Sequence, residues 1–270
     1  MEKVVEQTHS RITVVPILSG GLDSTVLTAM LVRSGYNVKP LGIDYGQKHR
    51  TELDYARRYC SRNNLFFEVA DLTGITHLIN NSSQTSSMEV PEGHYAEESM
   101  KLTVVPNRNM IMLSVACGYA INIKANFIAY GAHSGDHAIY PDCRTEFVEA
   151  MRSAIKLADW HPVDIISPFL AMTKAEIVLL GAEMGIPFED TWSCYKGGDV
   201  HCGMCGTCTE RIEAFVIAGV DDPTAYSLKA ADNIRRINTE QNSENAKKVR
   251  KLMAERNTFF MAYKKTDSPS

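Results

Sequence analysis

At 270 residues with 44% hydrophobic content, the chain is long enough to bury a substantial core, which excludes wholesale disorder and fits one large α/β domain with or without a small appendage. A net charge of −4 supplies no general attraction to nucleic acid or to anionic membranes, so a small, locally docked substrate is favoured over direct nucleic-acid binding. Residues 1–7 are mixed and polar, and the next apolar run, about eight residues, is too short for a signal core or a membrane span, so the reading is a cytoplasmic protein.

In chain order, residues 12–18 form a short β-branched run bounded by Gly20 and Gly21, and residues 25–33 follow with apolar positions at helical spacing. The chain thus begins strand, tight loop, helix. Residues 38–44 predict a second strand, 51–63 an exposed helix, 66–69 a third strand, 110–121 a buried helix and 127–130 a further strand. Strands alternating with helices predict a Rossmann-like, doubly wound parallel sheet. Residues 80–98 are rich in Ser, Asn, Gln and Glu with Pro91 and Gly93, which predicts a mobile loop or lid. Residues 209–219 predict a helix, and 227–263 are charged and helix-compatible. The expected organisation is a main domain over residues 1–190, a metal-bound element over 191–220 and a helical tail over 221–270.

The loop Ser19, Gly20, Gly21, Leu22, Asp23, Ser24, Thr25 lies directly after the first strand. Its glycines let the backbone approach a ligand, and its hydroxyls open the next helix, as an anion site requires. It lacks the lysine of the common phosphate loop that cradles a transferred γ-phosphate. Asp23 has two readings, a helix cap or a contact to magnesium or ATP. The loop resembles that of the pyrophosphate-loop ATPases, S-G-G-x-D-S-[ST], whose members cleave ATP between the α and β phosphates. That resemblance implies that the loop holds departing pyrophosphate while a substrate oxygen is adenylylated.

Seven cysteines in a chain read as cytoplasmic argue for metal or thiol chemistry over disulfides. Four of them, Cys194, Cys202, Cys205 and Cys208, are close enough in sequence to close one tetrahedral zinc site. An iron–sulfur cluster is the rival, although the Cys-Pro that accompanies such runs is missing. Three more segments are dense in polar residues: 44–50, with Tyr45, Gln47 and Arg50; 106–109, with Arg108 and Asn109; and 140–144, with Tyr140, Asp142, Cys143 and Arg144. Singly, each has a plain structural reading: surface charge, helix cap, or turn with a buried thiol.

Together with the loop and the cysteines, these segments resemble the 7-cyano-7-deazaguanine synthases of the queuosine pathway, across about residues 14–211. The resemblance implies an adenine nucleotide alpha-hydrolase-like fold. It also implies a ligase that converts 7-carboxy-7-deazaguanine, ammonia and ATP to the nitrile through an adenylate and an amide. Carried over, residues 19–25 would hold ATP with Mg2+, while Arg108, Lys174 and Asp23 would act on the phosphates. Tyr45, Gln47, Arg50, Tyr140, Asp142 and Arg144 would hold the base, and the four cysteines would bind structural Zn2+. Lys174 has an equal reading as a surface lysine at a helix start. Residues 133–139 depart from the family pattern, which leaves open a ligase that stops at the amide or takes another amine. A tRNA-thiolating relative and an inactive zinc- and nucleotide-binding module are further alternatives, and a homodimer is compatible with the sequence.

Overall fold

A computed structural model describes residues 12–241 and Lys251. Strand β1 (Thr13–Pro16) leads through the glycine loop into helix α1 (Leu22–Arg33), followed by β2 (Asn37–Val38), β3 (Leu41–Asp44), α2 (Thr51–Arg62) and β4 (Glu68–Asp71). Helix α3 (Arg108–Asn122), β5 (Phe127–Ala129), α4 (Thr145–Lys156), β6 (Asp164–Ile166), α5 (Lys174–Glu183), α6 (Gly206–Ala218) and α7 (Ala231–Gln241) complete the order. Every strand pair is parallel: β2-β1-β5-β6 forms one ladder and β3-β4 another.

The two ladders are joined where Leu18 N–H donates to the Leu41 carbonyl at 2.9 Å, beside the Ile17–Leu41 bridge. The break between β2 and β3 has a cause in β1. Asn37 and Lys39 N–H groups donate to Ile12 and Val14 carbonyls, so the next rung would come from residue 16, and Pro16 has no N–H to give. The single expected strand over 38–44 is therefore two short ones. Helices α1, α2, α5 and α6 pack one face through a core that includes Leu22, Val26, Ala56, Ile177 and Phe215, while α3 and α4 pack the other through Leu113, Ala116, Val148 and Met151. Each buried Leu, Val, Ile, Met or Phe among them contributes about 1.5–3 kcal/mol.

Three elements are not among those the sequence reading assigns: α4, β6 and α5. Helix α4 buries Val148, Met151 and Ile155 on one face, a spacing that the sequence carries. Helix α5 opens with a capping box between Thr173 and Glu176, a signal that the sequence also carries. Residues 80–98, expected as a mobile loop, are tied down at several points. Ser83 N–H donates to the Leu102 carbonyl, Lys48 N–H to that of Gln84, and Gly93 N–H to that of Met204. Short hydroxyl side chains do the local work, as when Ser86 Oγ donates to the Ser82 carbonyl. Of the expected helix over 227–263, the structure describes α7, and the remainder other than Lys251 lies outside the described residues.

The chain after residue 190 is tied to the glycine loop and locked by a buried arginine. Trp192 N–H donates to the Gly20 carbonyl at 2.9 Å. Arg211, with no solvent exposure, donates to Thr191 Oγ1 at 2.7 Å and to the Phe188 carbonyl at 3.0 Å, and pairs with Asp222 at 3.1 Å. Burial pushes the Asp222 carboxyl up, but Arg211 more than offsets this and holds it below the ordinary range. Asp222 therefore contributes stability that is present above its unfolded pKa and lost as pH falls toward the depressed native value. Replacing Arg211 by Met leaves Asp222 without its charge partner, and the expected cost is about 3–5 kcal/mol in urea unfolding at neutral pH.

Candidate active site

The carboxyl ends of β1, β3 and β5 open into one cavity of about 230 Å³, at the position where ligands bind in open α/β sheets. Its floor is the glycine loop. Gly20 has φ +86°, and a Cβ there would sit 2.0 Å from the Glu52 carbonyl oxygen, so only glycine fits between this loop and the first turn of α2. Ser19 Oγ accepts from Gly21 N–H at 3.2 Å, and Ser24 Oγ donates to the Gly21 carbonyl at 3.2 Å. Among the described residues no side chain caps α1, which leaves its amino-terminal N–H groups available to an anion. Ser19, Gly21, Leu22, Asp23 and Ser24 line the cavity, whereas Gly20 and Thr25 lie behind it.

Asp23 does not cap the helix; it reaches across to Lys174, the first residue of α5. Lys174 Nζ lies 3.1 Å from Asp23 Oδ2 and 2.7 Å from Glu210 Oε2, and its side chain is 11% exposed. It is thus no surface lysine. Burial pushes the ammonium down, but Asp23, Glu210 and Asp136 more than offset this, so Lys174 stays charged above its ordinary range. Burial pushes Asp23 up, and Lys174 and His133 more than compensate, so its carboxyl lies below the ordinary value. Asp23 Oδ1 is buried without a hydrogen-bond partner among the described residues.

His133 completes this half of the cavity and is 1% exposed. Its Nδ1 accepts from Gly135 N–H at 3.1 Å, so the proton of the neutral ring sits on Nε2. That atom faces Asp136, Glu210 and Asp23 oxygens at 3.6, 3.7 and 3.9 Å. His133, Asp136 and Glu210 are close enough to share an ion, but this tautomer makes the ring a donor toward the carboxylates and leaves cation binding to their oxygens.

The opposite half is aromatic. Arg108, the first residue of α3, faces Tyr45, Tyr140 and Tyr195. Burial pushes the Tyr45 phenol up to about 12, and the Tyr140 hydroxyl is 2.7 Å from Thr103 Oγ1. Glu52, from α2, lines the same half. Of the expected base-pocket residues, Tyr45 and Tyr140 line the cavity, and Gln47, Arg50, Asp142 and Arg144 do not. Gln47 is buried behind Tyr45, accepting from its N–H at 3.0 Å. Arg50 is largely exposed and pairs with Asp44, while Arg144 is exposed and donates to the His137 carbonyl. The Asp142 carboxylate accepts from Asn109 N–H at 3.2 Å, which anchors the first turn of α3 and with it Arg108. Cys143 is buried in the cavity wall, and burial pushes its thiol far above its ordinary value.

Cys194, Cys202, Cys205 and Cys208 converge beside this cavity, all four sulfurs lying within 4.8 Å of one another. The Cys202–Cys208 separation is 3.9 Å, close to the edge of about 3.8 Å of a tetrahedron with metal–sulfur bonds of about 2.3 Å. The N–H groups of Met204 and Cys205 donate to Cys202 Sγ, and that of Cys202 donates to Cys194 Sγ. Such donors stabilise thiolate charge. The donor set fits a metal ion, and the helix that starts here, α6, delivers Glu210 to Lys174.

Sequence reasoning missed Glu52, Tyr195 and Glu210. Glu210 had one signal, two residues beyond the last cysteine, on a helix whose start that cysteine marks. Replacing Lys174 by Met removes the main attraction on Asp23, so its carboxyl is expected to rise above the ordinary range, measured by carbon-13 NMR titration.

The sequence profile of the family described as Queuosine biosynthesis protein QueC matches residues 13–219. A protein of Pseudoalteromonas atlantica named 7-cyano-7-deazaguanine synthase is 52% identical over 213 residues, covering 79% of this chain and 98% of the relative. Proteins of the same name from Hahella chejuensis, 51% identical over 78% of this chain and 92% of the relative, and from Caldicellulosiruptor bescii, 47% identical over 80% and 97%, agree with it. With its glycine loop, buried Lys174 and four-cysteine cluster inside the matched span, the chain belongs to the QueC family of queuosine biosynthesis proteins.

Proposed function

We propose that this chain is an ATP-dependent carbon–nitrogen ligase that converts 7-carboxy-7-deazaguanine and ammonia to 7-cyano-7-deazaguanine. The observation that carries the reading is Lys174, a buried ammonium held between Asp23 of the uncapped glycine loop and Glu210, across the cavity from Arg108 and three tyrosines. The names of the relatives support the same substrate and product.

The carboxylate of the substrate attacks the α-phosphorus of ATP, pyrophosphate leaves, and ammonia then displaces AMP to give an amide. A second adenylylation, on the amide oxygen, leads to the nitrile and a second AMP. The α1 N-terminus with Ser19, Gly21 and Ser24 receives the pyrophosphate. Lys174 and Arg108 offset charge that develops on the phosphates, where a fixed cation in a water-poor cavity acts most strongly. Asp23, whose Oδ1 has no partner among the described residues, would hold Mg2+ together with Asp136 and Glu210, and that ion would supply positive charge against the phosphates. Tyr45 and Tyr140 offer faces for the planar base. Zn2+ on the four cysteines would be structural: it would fix the start of α6 and so the position of Glu210. Residues 1–190 act as the nucleotide-binding domain and 191–220 as the metal-bound element that closes its site.

Incubating the purified protein with 7-carboxy-7-deazaguanine, ammonium and ATP should yield the nitrile by mass spectrometry, with AMP and pyrophosphate in equal amounts. ADP as the nucleotide product would overturn the reading, and accumulation of the amide would place the chain with ligases that stop there. Lys174→Met should lower kcat by about 10²–10³-fold. Cys205→Ser should lose zinc and thermal stability together, read by metal analysis and calorimetry.

A further inference from the structure

Among the described residues, four carboxyl groups line the cavity: Asp23, Glu52, Asp136 and Glu210. Asp23 and Glu210 each pair with Lys174 through one oxygen, and Asp136 lies with them beside His133. Glu52 stands apart, on the aromatic half, and among the described residues it forms no ion pair. Its place is set twice over. Its own carbonyl oxygen is pressed against Gly20, which fixes the first turn of α2 to the phosphate loop. Its side chain is aimed by Gln47, whose Oε1 must accept from Tyr45 N–H at 3.0 Å. The Gln47 amide nitrogen is thereby turned toward the Ile43 carbonyl and toward Glu52 Oε1, at 3.4 and 3.1 Å. One carboxyl oxygen is thus held, and Glu52 lines the cavity.

We propose that Glu52 is a catalytic residue that accepts the protons leaving nitrogen, an inference that rests on the nitrile-forming reaction proposed above. That reaction removes three protons from one nitrogen. When ammonia attacks the acyl adenylate, a C–N bond forms, the bond from carbon to the AMP oxygen breaks, and one N–H proton leaves. When the amide oxygen attacks the α-phosphorus of the second ATP, pyrophosphate departs and another N–H proton leaves. Loss of the second AMP forms the nitrile as the last N–H proton leaves. Glu52 takes each proton in turn and returns it to water before the next. The first adenylylation differs, since a carboxylate attacks phosphorus without giving up a proton.

The groups that face Glu52 suit this role. Burial pushes its carboxyl up to about 7; Arg108 from α3 and the Gln47 amide restrain the rise, while Asp44 at the end of β3 adds to it. Glu52 in turn pushes the Tyr45 phenol up. A base that titrates near the working pH both accepts and releases protons efficiently, and such a group contributes typically about 10²–10⁴-fold.

The test separates the steps in Glu52→Gln. Pyrophosphate exchange into ATP driven by 7-carboxy-7-deazaguanine should stay within about threefold of wild type. Conversion of the synthetic amide to the nitrile should fall by about 10²–10⁴-fold. In wild type the amide-to-nitrile rate should rise with pH through about 7 as Glu52 ionises, and the variant should lack that inflection. Circular dichroism checks the fold, and if Glu52→Gln does not fold, Glu52→Asp carries the test, retaining exchange and a displaced inflection. Equal loss of exchange and of nitrile formation would overturn the proposal and make Glu52 a binding group. An unchanged amide-to-nitrile rate would overturn it as well. If wild type shows no exchange with this substrate, it is the proposed function that fails.

Discussion

The arrangement of the site depends on one buried cation. Lys174 Nζ is shared by Asp23 and Glu210, and these three residues open α5, sit in the first turn of α1 and lie on α6. An ammonium removed from water is tolerated only where carboxylates replace its hydration, so the three helices cannot drift apart without stranding a charge. The same constraint holds the Asp23 carboxyl below its ordinary value and places a positive charge beside the glycine loop. His133 adds a donor above the same carboxylates.

The cysteine cluster belongs to that network. Cys205 and Cys208 bracket the first turn of α6, and Glu210 follows at once. Arg211, the next residue, turns the other way into the core and binds Asp222, Thr191 and Phe188. Two neighbouring side chains on one helix therefore serve the cavity and the core, and a shift in the metal-binding end would be felt by both. Segment 80–98 is drawn into the same corner, since Val90 packs with the cysteines and Glu92 bridges to Cys205.

Much of this was legible in the sequence where chemistry is local. The strand, glycine loop and helix at residues 12–33 follow from spacing, and the four cysteines name their own site. Lys174 was readable as a candidate but not as buried, because burial depends on Glu210, 36 residues away. Asp142 and Arg144 share a short motif with Tyr140, yet a 3-10 turn at Pro141–Cys143 directs their side chains away from the cavity, Asp142 to the α3 terminus. Adjacency in sequence gave a shared neighbourhood without a shared direction. Glu52 was invisible for the converse reason: on a helix read as exposed, it looks like a solvated charge until Gly20 and Gln47 fix where it points.

Pro16 carries a mechanical consequence. By withholding one N–H from Lys39, it leaves the β3-β4 ladder joined to β1 chiefly through the Leu18–Leu41 hydrogen bond. Releasing that bond costs about 0.5–1.5 kcal/mol, far less than parting a continuous ladder. The wall that bears Ile43 and Tyr45 is thus held largely by the packing of Leu41 and Ile43 with Val15, Leu113 and Ile128, while the wall that bears His133, after β5, lies between β1 and β6. One wall of the cavity is held by a hydrogen-bonded ladder on each side, and the other by a single backbone link together with side-chain packing.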